Sequence, residues 1–323
     1  MQLPPFDYRQ PDTLEACVEL LAADPETTTA LAGGTDLLLN MKLGLTRPER
    51  LVSLKRVPGL SEVTVTEAGG LRIGAGCKLT ELAEHPELAT RCPALQQAIR
   101  SVGSRHVRNM ATIGGNVCLP TRCWYTNQSD QWRECRLPCF KTEGEVCHVI
   151  KSSERCHALN SSDSAPALIA LQARLTTAAP DGGRDIPLAE FYTNDGVDHT
   201  VLRPGELVTF IDVPPGGERS TFIKVAQRTG LDYAAGTIAA AVEGKRKIRA
   251  ARLVIGAIGS WPIQLHQAAR IVCAQGLTEA SIDAAAEAAR ADLGEVNNLF
   301  SPSGYKRRIV RALVRRALEQ LKK

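Results

Sequence analysis

The sequence lacks a long hydrophobic run, a charged-then-apolar leader and a strong excess of charge of either sign. Because no apolar run approaches about 18 residues, a membrane-spanning helix is not expected, and the missing leader favours a cytoplasmic protein over a secreted one. Lysine plus arginine (39) nearly balances aspartate plus glutamate (35), so no nucleic-acid-binding face is predicted. At 323 residues, the chain is long enough for about two domains.

Two common nucleotide-binding motifs are also missing. The segment 74–76 lacks the third glycine of G-x-G-x-x-G, and no P-loop motif is present. Segments 32–36 and 112–116 instead contain adjacent glycines beside threonine, aspartate or asparagine. Adjacent glycines can adopt positive φ and leave backbone N–H groups converging on one point, which suits a pyrophosphate. Spacing alone does not separate such a site from two ordinary tight turns.

The ten cysteines are unevenly distributed. In a chain without an export signal they are expected to be reduced thiols that bind metal, carry out redox chemistry or pack in the core. Four are scattered through periodic segments and are predicted to be buried apolar residues: Cys17, Cys77, Cys92 and Cys273. Five others crowd into 34 residues: Cys123, Cys135, Cys139, Cys147 and Cys156. They lie in a segment of about 40 residues, 119–158, without helical or strand periodicity, which predicts an insertion held by something other than a hydrophobic core.

The Pro-Pro-Gly-Gly run at 214–217 is the predicted boundary between domains 1–216 and 217–323. Short helical and strand patterns alternate in the first domain. In the second, strand, helix and strand are predicted across 222–259, followed by helices at 281–293 and 305–321. The sequence therefore predicts an α+β fold class.

Four segments in order carry a resemblance to a known family: AGGTDLLLNMK, RNMATIGGN, SSDSAPALIAL and FIKVAQRTGLDYA. Together with the C-terminal YKRRIVRALVRRAL, they resemble the FAD-binding subunit of the molybdenum hydroxylases, a family that includes xanthine, carbon monoxide and aldehyde dehydrogenases. The resemblance covers nearly the whole chain. It implies an FAD-binding domain of two α+β subdomains with the flavin between them, followed by a C-terminal α+β domain.

Specific FAD contacts are implied by the same resemblance. Around the pyrophosphate and ribityl chain it places Leu31, Ala32, Gly33, Gly34, Thr35, Asp36, Leu37, Thr112, Gly114, Gly115 and Asn116. Ser162 and Asp163 match a Ser-Asp contact to the sugar-like tail of the flavin. Lys224 matches a lysine near the isoalloxazine, where a cation favours the anionic reduced ring. Cys118 stands where the family often has an aliphatic side chain.

The cysteine-rich insertion departs from the common family pattern, in which about ten residues separate the second glycine pair from the Ser-Asp contact. Here Asn116 and Asp163 are 47 positions apart. This feature resembles the family members whose flavin subunit carries an additional 4Fe–4S cluster. The expected ligands are Cys123, Cys139, Cys147 and Cys156, with Cys135 as the spare. The spacing matches no ferredoxin pattern, and zinc remains an alternative because His148 and His157 each follow a cysteine.

The function implied by this resemblance is electron transfer within a complex, since the chain offers no candidate catalytic acid, base or nucleophile. The implied partners are a large molybdopterin subunit with the active site and a small subunit with two 2Fe–2S clusters, assembled as a dimer of heterotrimers. Reduced ferredoxin is the expected electron donor, and anaerobic reduction of an aromatic acyl-CoA is the expected reaction. Two alternatives remain: a substrate-oxidising molybdenum hydroxylase with a structural zinc loop, and a cysteine-rich binding module without enzymatic function.

Overall fold

The computed structural model describes residues 2–244, 247–294 and 302–322. The described strands are β1 (Asp7–Arg9), β2 (Thr28–Leu31), β3 (Arg50–Ser53), β4 (Val63–Val65), β5 (Leu71–Gly74), β6 (Arg174–Ala178), β7 (Asp185–Pro187), β8 (Leu207–Val213), β9 (Ser220–Ala226), β10 (Ala234–Glu243), β11 (Ala250–Gly256) and β12 (Ile263–Gln264). The described helices are α1 (Leu14–Ala23), α2 (Leu37–Lys42), α3 (Leu79–Glu84), α4 (Pro86–Arg91), α5 (Pro93–Ser101), α6 (Arg105–Arg108), α7 (Ile113–Val117), α8 (Asp130–Glu134), α9 (Ser164–Ala170), α10 (Leu188–Phe191), α11 (His266–Gln275), α12 (Glu279–Ala288) and α13 (Ser303–Lys322), with a 3-10 turn at Phe140–Thr142.

The first subdomain is a small parallel sheet in the order β1-β3-β2, with α1 as the crossover between β1 and β2. The sequence offers Asp12 or Thr13 as the N-cap of α1, and Thr13 is the cap, since its Oγ1 accepts a hydrogen bond from the N–H of Ala16 at 3.2 Å. Cys17 and Val18 on its apolar face are buried with Val52 of β3. This packing holds the carboxyl end of β2, where the first glycine pair follows.

The second subdomain is an antiparallel sheet in the order β4-β5-β8-β6-β7, covered by α3, α5 and α9. The sequence predicts one continuous helix over 80–88, but the structure has two, α3 and α4, that meet at Pro86. Pro86 cannot continue the helix, since it has no N–H and forces the preceding His85 into an extended conformation. Leu95 and Ile99 of α5 are fully buried in the shared core.

The C-terminal sheet has the order β12-β11-β10-β9, with α11, α12 and α13 on one face and α5 and α9 on the other. The predicted helix between the first two strands of this domain is wrong, because β9 and β10 pair directly as antiparallel strands. Alanine-rich β10 alternates between two cores: Ala239 and Ala241 face the FAD-binding domain, whereas Ile238 and Ala240 face the C-terminal helices. In a strand buried on both faces, apolar residues do not alternate with polar ones. The sequence of β10 therefore lacks the pattern that distinguishes a strand from a helix.

The helix predicted at 305–321 is present as the basic helix α13, with Ile309, Val310, Leu313 and Val314 buried in the C-terminal core. The predicted domain boundary at residues 216 and 217 lies between β8 and β9. Within the described ranges, no helix is both long and apolar enough to cross a bilayer. The α+β fold class predicted from the sequence is confirmed.

Candidate functional site

The first glycine pair lies in the connection between β2, which ends at Leu31, and α2, which begins at Leu37. Gly34 has a φ of +71°, a conformation that favours glycine. In the part of the chain that the structure describes, the N–H groups of residues 33–36 donate to no other group. Four consecutive free N–H groups that include the left-handed residue Gly34 form a concavity suited to an anion.

Gly33 is required by space and not by its φ. A Cβ at this position would lie 2.0 Å from the carbonyl oxygen of Met110 and 2.9 Å from the Cα of Ala111. No side chain fits there without moving the backbone of one segment or the other. The backbone of the first glycine segment therefore lies in direct contact with residues 110 and 111, which immediately precede the second glycine segment.

The predicted turn with positive φ at the second glycine pair is wrong. Gly114 and Gly115 lie in the short helix α7, and neither has a positive φ. Thr112 caps this helix, since its Oγ1 accepts a hydrogen bond from the N–H of Gly115 at 3.2 Å. A Cβ on Gly114 would lie 2.6 Å from the Cβ of Ala75. Close packing, rather than unusual φ, explains this second pair of glycines.

Asn116 joins the second glycine segment to the predicted Ser-Asp contact. Its Oδ1 accepts hydrogen bonds from Ser162 Oγ at 3.0 Å and Ser164 Oγ at 2.6 Å. Beside this network, Ser161 Oγ and Asn160 Nδ2 are buried without a hydrogen-bond partner. Unpartnered polar atoms are rare in protein interiors, so they provide unused hydrogen-bonding capacity for a polar ligand. With the free amides of the first glycine segment, these residues fit the polar tail of FAD.

Asp163 and Lys224 form an ion pair between the two domains. Lys224 Nζ donates to Asp163 Oδ2 at 2.6 Å and to the carbonyl oxygen of Ser101 at 3.1 Å. The two side chains are 7% and 13% exposed. Burial raises the pKa of Asp163 to about 6, although the Lys224 ammonium opposes this shift. The predicted FAD contact at Asp163 and the predicted ring contact at Lys224 thus lie side by side.

Replacement of Lys224 by methionine is expected to destabilise the chain by about 3–5 kcal/mol, because it leaves the buried carboxylate of Asp163 without its partner charge. The double variant Asp163→Asn, Lys224→Met removes both charges and is expected to recover most of that loss. Urea unfolding of the full chain measures both changes.

The exposed ion pair between Arg174 and Asp185 is the matched control, with side chains 46% and 59% exposed. Arg174→Met is expected to change the free energy of unfolding by no more than about 1 kcal/mol. A Lys224→Met variant as stable as Arg174→Met would contradict the assigned role of the buried pair.

Asp36 has a structural partner that the sequence reasoning missed. Arg122 Nη1 donates to Asp36 Oδ1 at 3.1 Å, and Asn40 Nδ2 donates to its Oδ2 at 2.6 Å. Burial raises the pKa of Asp36, and the Arg122 charge opposes this shift. The same guanidinium lies 4.8 Å from the centre of the Tyr233 ring. Arg122 directly precedes the first predicted ligand, Cys123, so it ties the insertion to the first glycine segment.

Cys118, the remaining residue of the predicted FAD site, lies at the C-terminal end of α7 and packs against the core of the second subdomain. Burial raises the pKa of its thiol to about 12. It therefore behaves as an apolar side chain, as the aliphatic residue common in the family would.

The structure brings the four predicted cluster ligands to one cavity, lined by Cys123, Cys139, Cys147 and Cys156. The last three are buried, with at most 8% exposure. Cys135, the predicted spare, is exposed outside this cavity and donates to the carbonyl oxygen of Gln131. The described residues contain no group of three or more His, Cys, Asp or Glu arranged to hold a single metal ion. The thiols thus share the walls of a cavity without forming a mononuclear site.

The cavity has the donor chemistry of a metal–thiolate site. Burial raises the pKa of the Cys156 thiol to about 12 and also raises that of Cys123, so these groups become thiolates only beside a positive centre such as a bound metal. Each of the two histidines proposed for zinc has one ring nitrogen engaged: His148 Nε2 lies 2.8 Å from the Leu137 carbonyl oxygen, and His157 Nε2 lies 2.7 Å from Ser153 Oγ. Four thiolates without a histidine fit an iron–sulfur cluster.

The insertion is fixed to the FAD-binding domain at several points. Its two ends meet in a bridge, in which the N–H groups of Arg122 and Leu159 each donate to the other's carbonyl oxygen at 2.8 Å. Arg133 of α8 donates to the carbonyl oxygens of Leu43 and Gly44, at the end of α2, at 3.3 and 3.2 Å. The helix α2 also directly follows the first glycine segment. The insertion and the first glycine segment are therefore both attached to α2.

Comparisons with known proteins identify both domains. The family model described as the FAD binding domain in molybdopterin dehydrogenase matches residues 4–216. The model of the CO dehydrogenase flavoprotein C-terminal domain matches residues 221–321.

Individual relatives extend over most of the chain. The aldehyde oxidoreductase FAD-binding subunit PaoB of Escherichia coli is 35% identical over 74% of this chain and 77% of that protein. The carbon monoxide dehydrogenase medium chain of Afipia carboxidovorans is 27% identical over 98% of this chain and 96% of that protein. A crystal structure of the Cu,Mo-CO dehydrogenase matches the fold with a TM-score of 0.83, at 23% identity, over 100% of this chain and 99% of that one. The chain therefore belongs to the family of FAD-binding subunits of the molybdenum hydroxylases.

Proposed function

We propose that this chain is the FAD and 4Fe–4S subunit of a molybdenum-containing 4-hydroxybenzoyl-CoA reductase in the cytoplasm. In this proposal it relays electrons from reduced ferredoxin to a large molybdopterin subunit, through a small subunit with two 2Fe–2S clusters, in a dimer of heterotrimers. The large subunit uses an electron pair and protons to remove the para hydroxyl group as water, giving benzoyl-CoA. The observation that carries the proposal is the meeting of four thiols in one cavity inside the insertion.

The FAD contacts of the proposal come from three parts of the chain. The free amides of residues 33–36 would bind the pyrophosphate. Ser162, whose Oγ donates to Asn116 Oδ1, and the unpartnered Oγ of Ser161 would form the second group of contacts, and Lys224 would supply a positive charge from the C-terminal domain. When bound, FAD accepts and releases electrons one at a time, which suits a relay between iron–sulfur clusters.

The proposed cluster ligands are Cys123, Cys139, Cys147 and Cys156, because soft thiolate sulfur favours iron–sulfur clusters over hard cations. Arg122 connects the first of these ligands to Asp36 in the FAD-binding segment through a hydrogen bond of 3.1 Å. The two cofactor sites would therefore be neighbours, as direct electron transfer between them requires.

Metal and flavin analysis of the anaerobically purified complex tests this function. We expect FAD, and iron with acid-labile sulfide beyond the content of the small subunit. We also expect 4-hydroxybenzoyl-CoA to be reduced to benzoyl-CoA with reduced ferredoxin as donor. The absence of additional iron, or no dehydroxylation by an iron-loaded complex, would refute the proposal.

A second function is favoured by the relatives, several of which are named as dehydrogenases or oxidoreductases. In this alternative the chain is the FAD subunit of a substrate-oxidising molybdenum hydroxylase, and its insertion is a structural zinc loop. His148 lines the same cavity as the thiols and is the available nitrogen ligand. Stoichiometric zinc with no additional iron in the purified complex would support this alternative.

A further inference from the structure

Lys141 is a cationic residue that lines the cavity together with the thiols. Its Nζ donates to the carbonyl oxygen of Thr121 at 2.9 Å, to Thr121 Oγ1 at 2.7 Å and to the carbonyl oxygen of Gly196 at 3.0 Å. Among residues 2–244, 247–294 and 302–322, no carboxylate forms an ion pair with it. The side chain thus connects Thr121, near the start of the insertion, to Gly196 outside it, and all three of its acceptors are neutral.

The hydrogen-bond pattern is that of a charged lysine. Thr121 Oγ1 donates its own hydrogen to the Gly196 carbonyl oxygen, so it only accepts from Lys141. Three acceptors around Nζ require three N–H donors, which an ammonium has and a neutral amine lacks. Asp195, the acidic residue next to Gly196, already accepts hydrogen bonds from the backbone N–H groups of Cys156 and Val197.

A buried ammonium without a carboxylate partner is unfavourable unless another negative group faces it. Here the nearest such groups are the thiols of Cys156, Cys123 and Cys139, and the carboxylates of Asp195 and Asp36 also interact with the Lys141 charge without a direct ion pair. The backbone of Gly196 also packs on Cys156, since a Cβ at residue 196 would lie 2.7 Å from its Sγ. The ammonium and the thiol therefore lie on the same short stretch of backbone.

We propose that Lys141 is a fixed counter-charge for the 4Fe–4S cluster and raises the reduction potential of that cluster. The inference rests on the proposed function. A cluster held by four thiolates is negatively charged, and it becomes more negative when it takes one electron from the reduced ferredoxin, which is oxidised by one electron. A nearby positive charge favours the more negative form.

Among the described residues, no other lysine or arginine lines the cavity. Lys151 is exposed, and the guanidinium of Arg136 stacks at 4.3 Å from the Trp132 ring, away from the cavity. Exposed charges are screened by water and salt, whereas a buried charge is not. Lys151→Met is therefore a matched control, because it removes the same charge from the same insertion at an exposed site.

The test is an EPR-monitored redox titration of the additional cluster in the purified complex, with the FAD and the two 2Fe–2S clusters as internal references. Lys141→Met and Lys141→Gln are compared with Lys141→Arg and Lys151→Met. At the wild-type midpoint potential, the neutral variants are expected to show a ratio of reduced to oxidised cluster at least tenfold lower. This ratio corresponds to a shift of about 59 mV for a one-electron couple. Lys141→Arg and Lys151→Met are expected to stay close to wild type, and the internal references are expected not to move.

Each other outcome overturns the inference. An unchanged midpoint in an iron-loaded neutral variant means that Lys141 does not tune the cluster. Loss of iron from both neutral variants but not from Lys141→Arg or Lys151→Met assigns Lys141 to cluster assembly instead. If the wild-type complex itself holds no additional cluster, both the proposed function and this inference are refuted. A wild-type complex with the cluster but with insensitive variants refutes only the inference.

Discussion

Replacing Cys147 by alanine is expected to remove one 4Fe–4S cluster per chain and to reduce ferredoxin-dependent turnover to background. Cys147 is 4% exposed and lines the thiol cavity with the three other proposed ligands. A cubane bound by three thiolates loses one of its four protein ligands, and His148, the histidine in the cavity lining, already has its Nε2 2.8 Å from the Leu137 carbonyl oxygen. Iron and acid-labile sulfide analysis of the complex, together with its EPR spectrum, measures the loss.

Cys135→Ala is the matched control for this experiment. Cys135 belongs to the same insertion, but it is exposed and lies outside the cavity. We expect this variant to keep its iron, its spectrum and its activity. Loss of iron from Cys135→Ala but not from Cys147→Ala would show that the ligand set is wrong and that the insertion rearranges around the metal.

Replacing Gly33 by alanine is expected to cause the largest loss of FAD among single changes in the first glycine segment. The added Cβ would lie 2.0 Å from the Met110 carbonyl oxygen, which is a backbone atom and cannot rotate away. Forcing the two segments apart typically costs about 1–3 kcal/mol, and flavin affinity is expected to fall about tenfold or more. Flavin released on dilution of the purified protein, followed by fluorescence, measures this change.

Gly304→Ala provides the control, because a Cβ at residue 304 meets no atom within 4 Å. This position is in the first turn of α13, far along the chain from the FAD-binding segments, and alanine is favourable in a helix. The variant is expected to retain FAD like wild type. Equal FAD retention by Gly33→Ala and Gly304→Ala would contradict the close approach of residues 33 and 110.

The fold was largely predictable wherever one face of an element is polar. Helix α1, with its Thr13 cap, and the amphipathic helix α13 are examples of this. Prediction failed for β10, because alternate residues of this strand are buried in two different cores. Neither face is polar, so the sequence does not show the alternation of apolar and polar residues that predicts a strand. It also failed at Pro86, where helical spacing of apolar residues continues across a residue that cannot continue the helix.

The candidate site was predictable in its residue types but not in its contacts. The adjacent glycines at 114 and 115 suggested unusual φ, yet they serve close packing against Ala75 and the capping residue Thr112. Arg122 and Lys141 were missed because their partners, Asp36 and Gly196, are 86 and 55 positions away. No local pattern marks a charge whose partner is so distant in sequence.

The bridge between Arg122 and Leu159 has a consequence for how such an insertion is acquired. Because the two strands of backbone already pair at its base, the 36 residues between them leave and return at nearly the same point. A related flavoprotein could therefore gain or lose residues 123–158 without a change in the order of its sheets. A graft of this segment into a related flavoprotein would need the matching pair of residues at its base, and also partners for Arg122, Arg133 and Lys141 on the host.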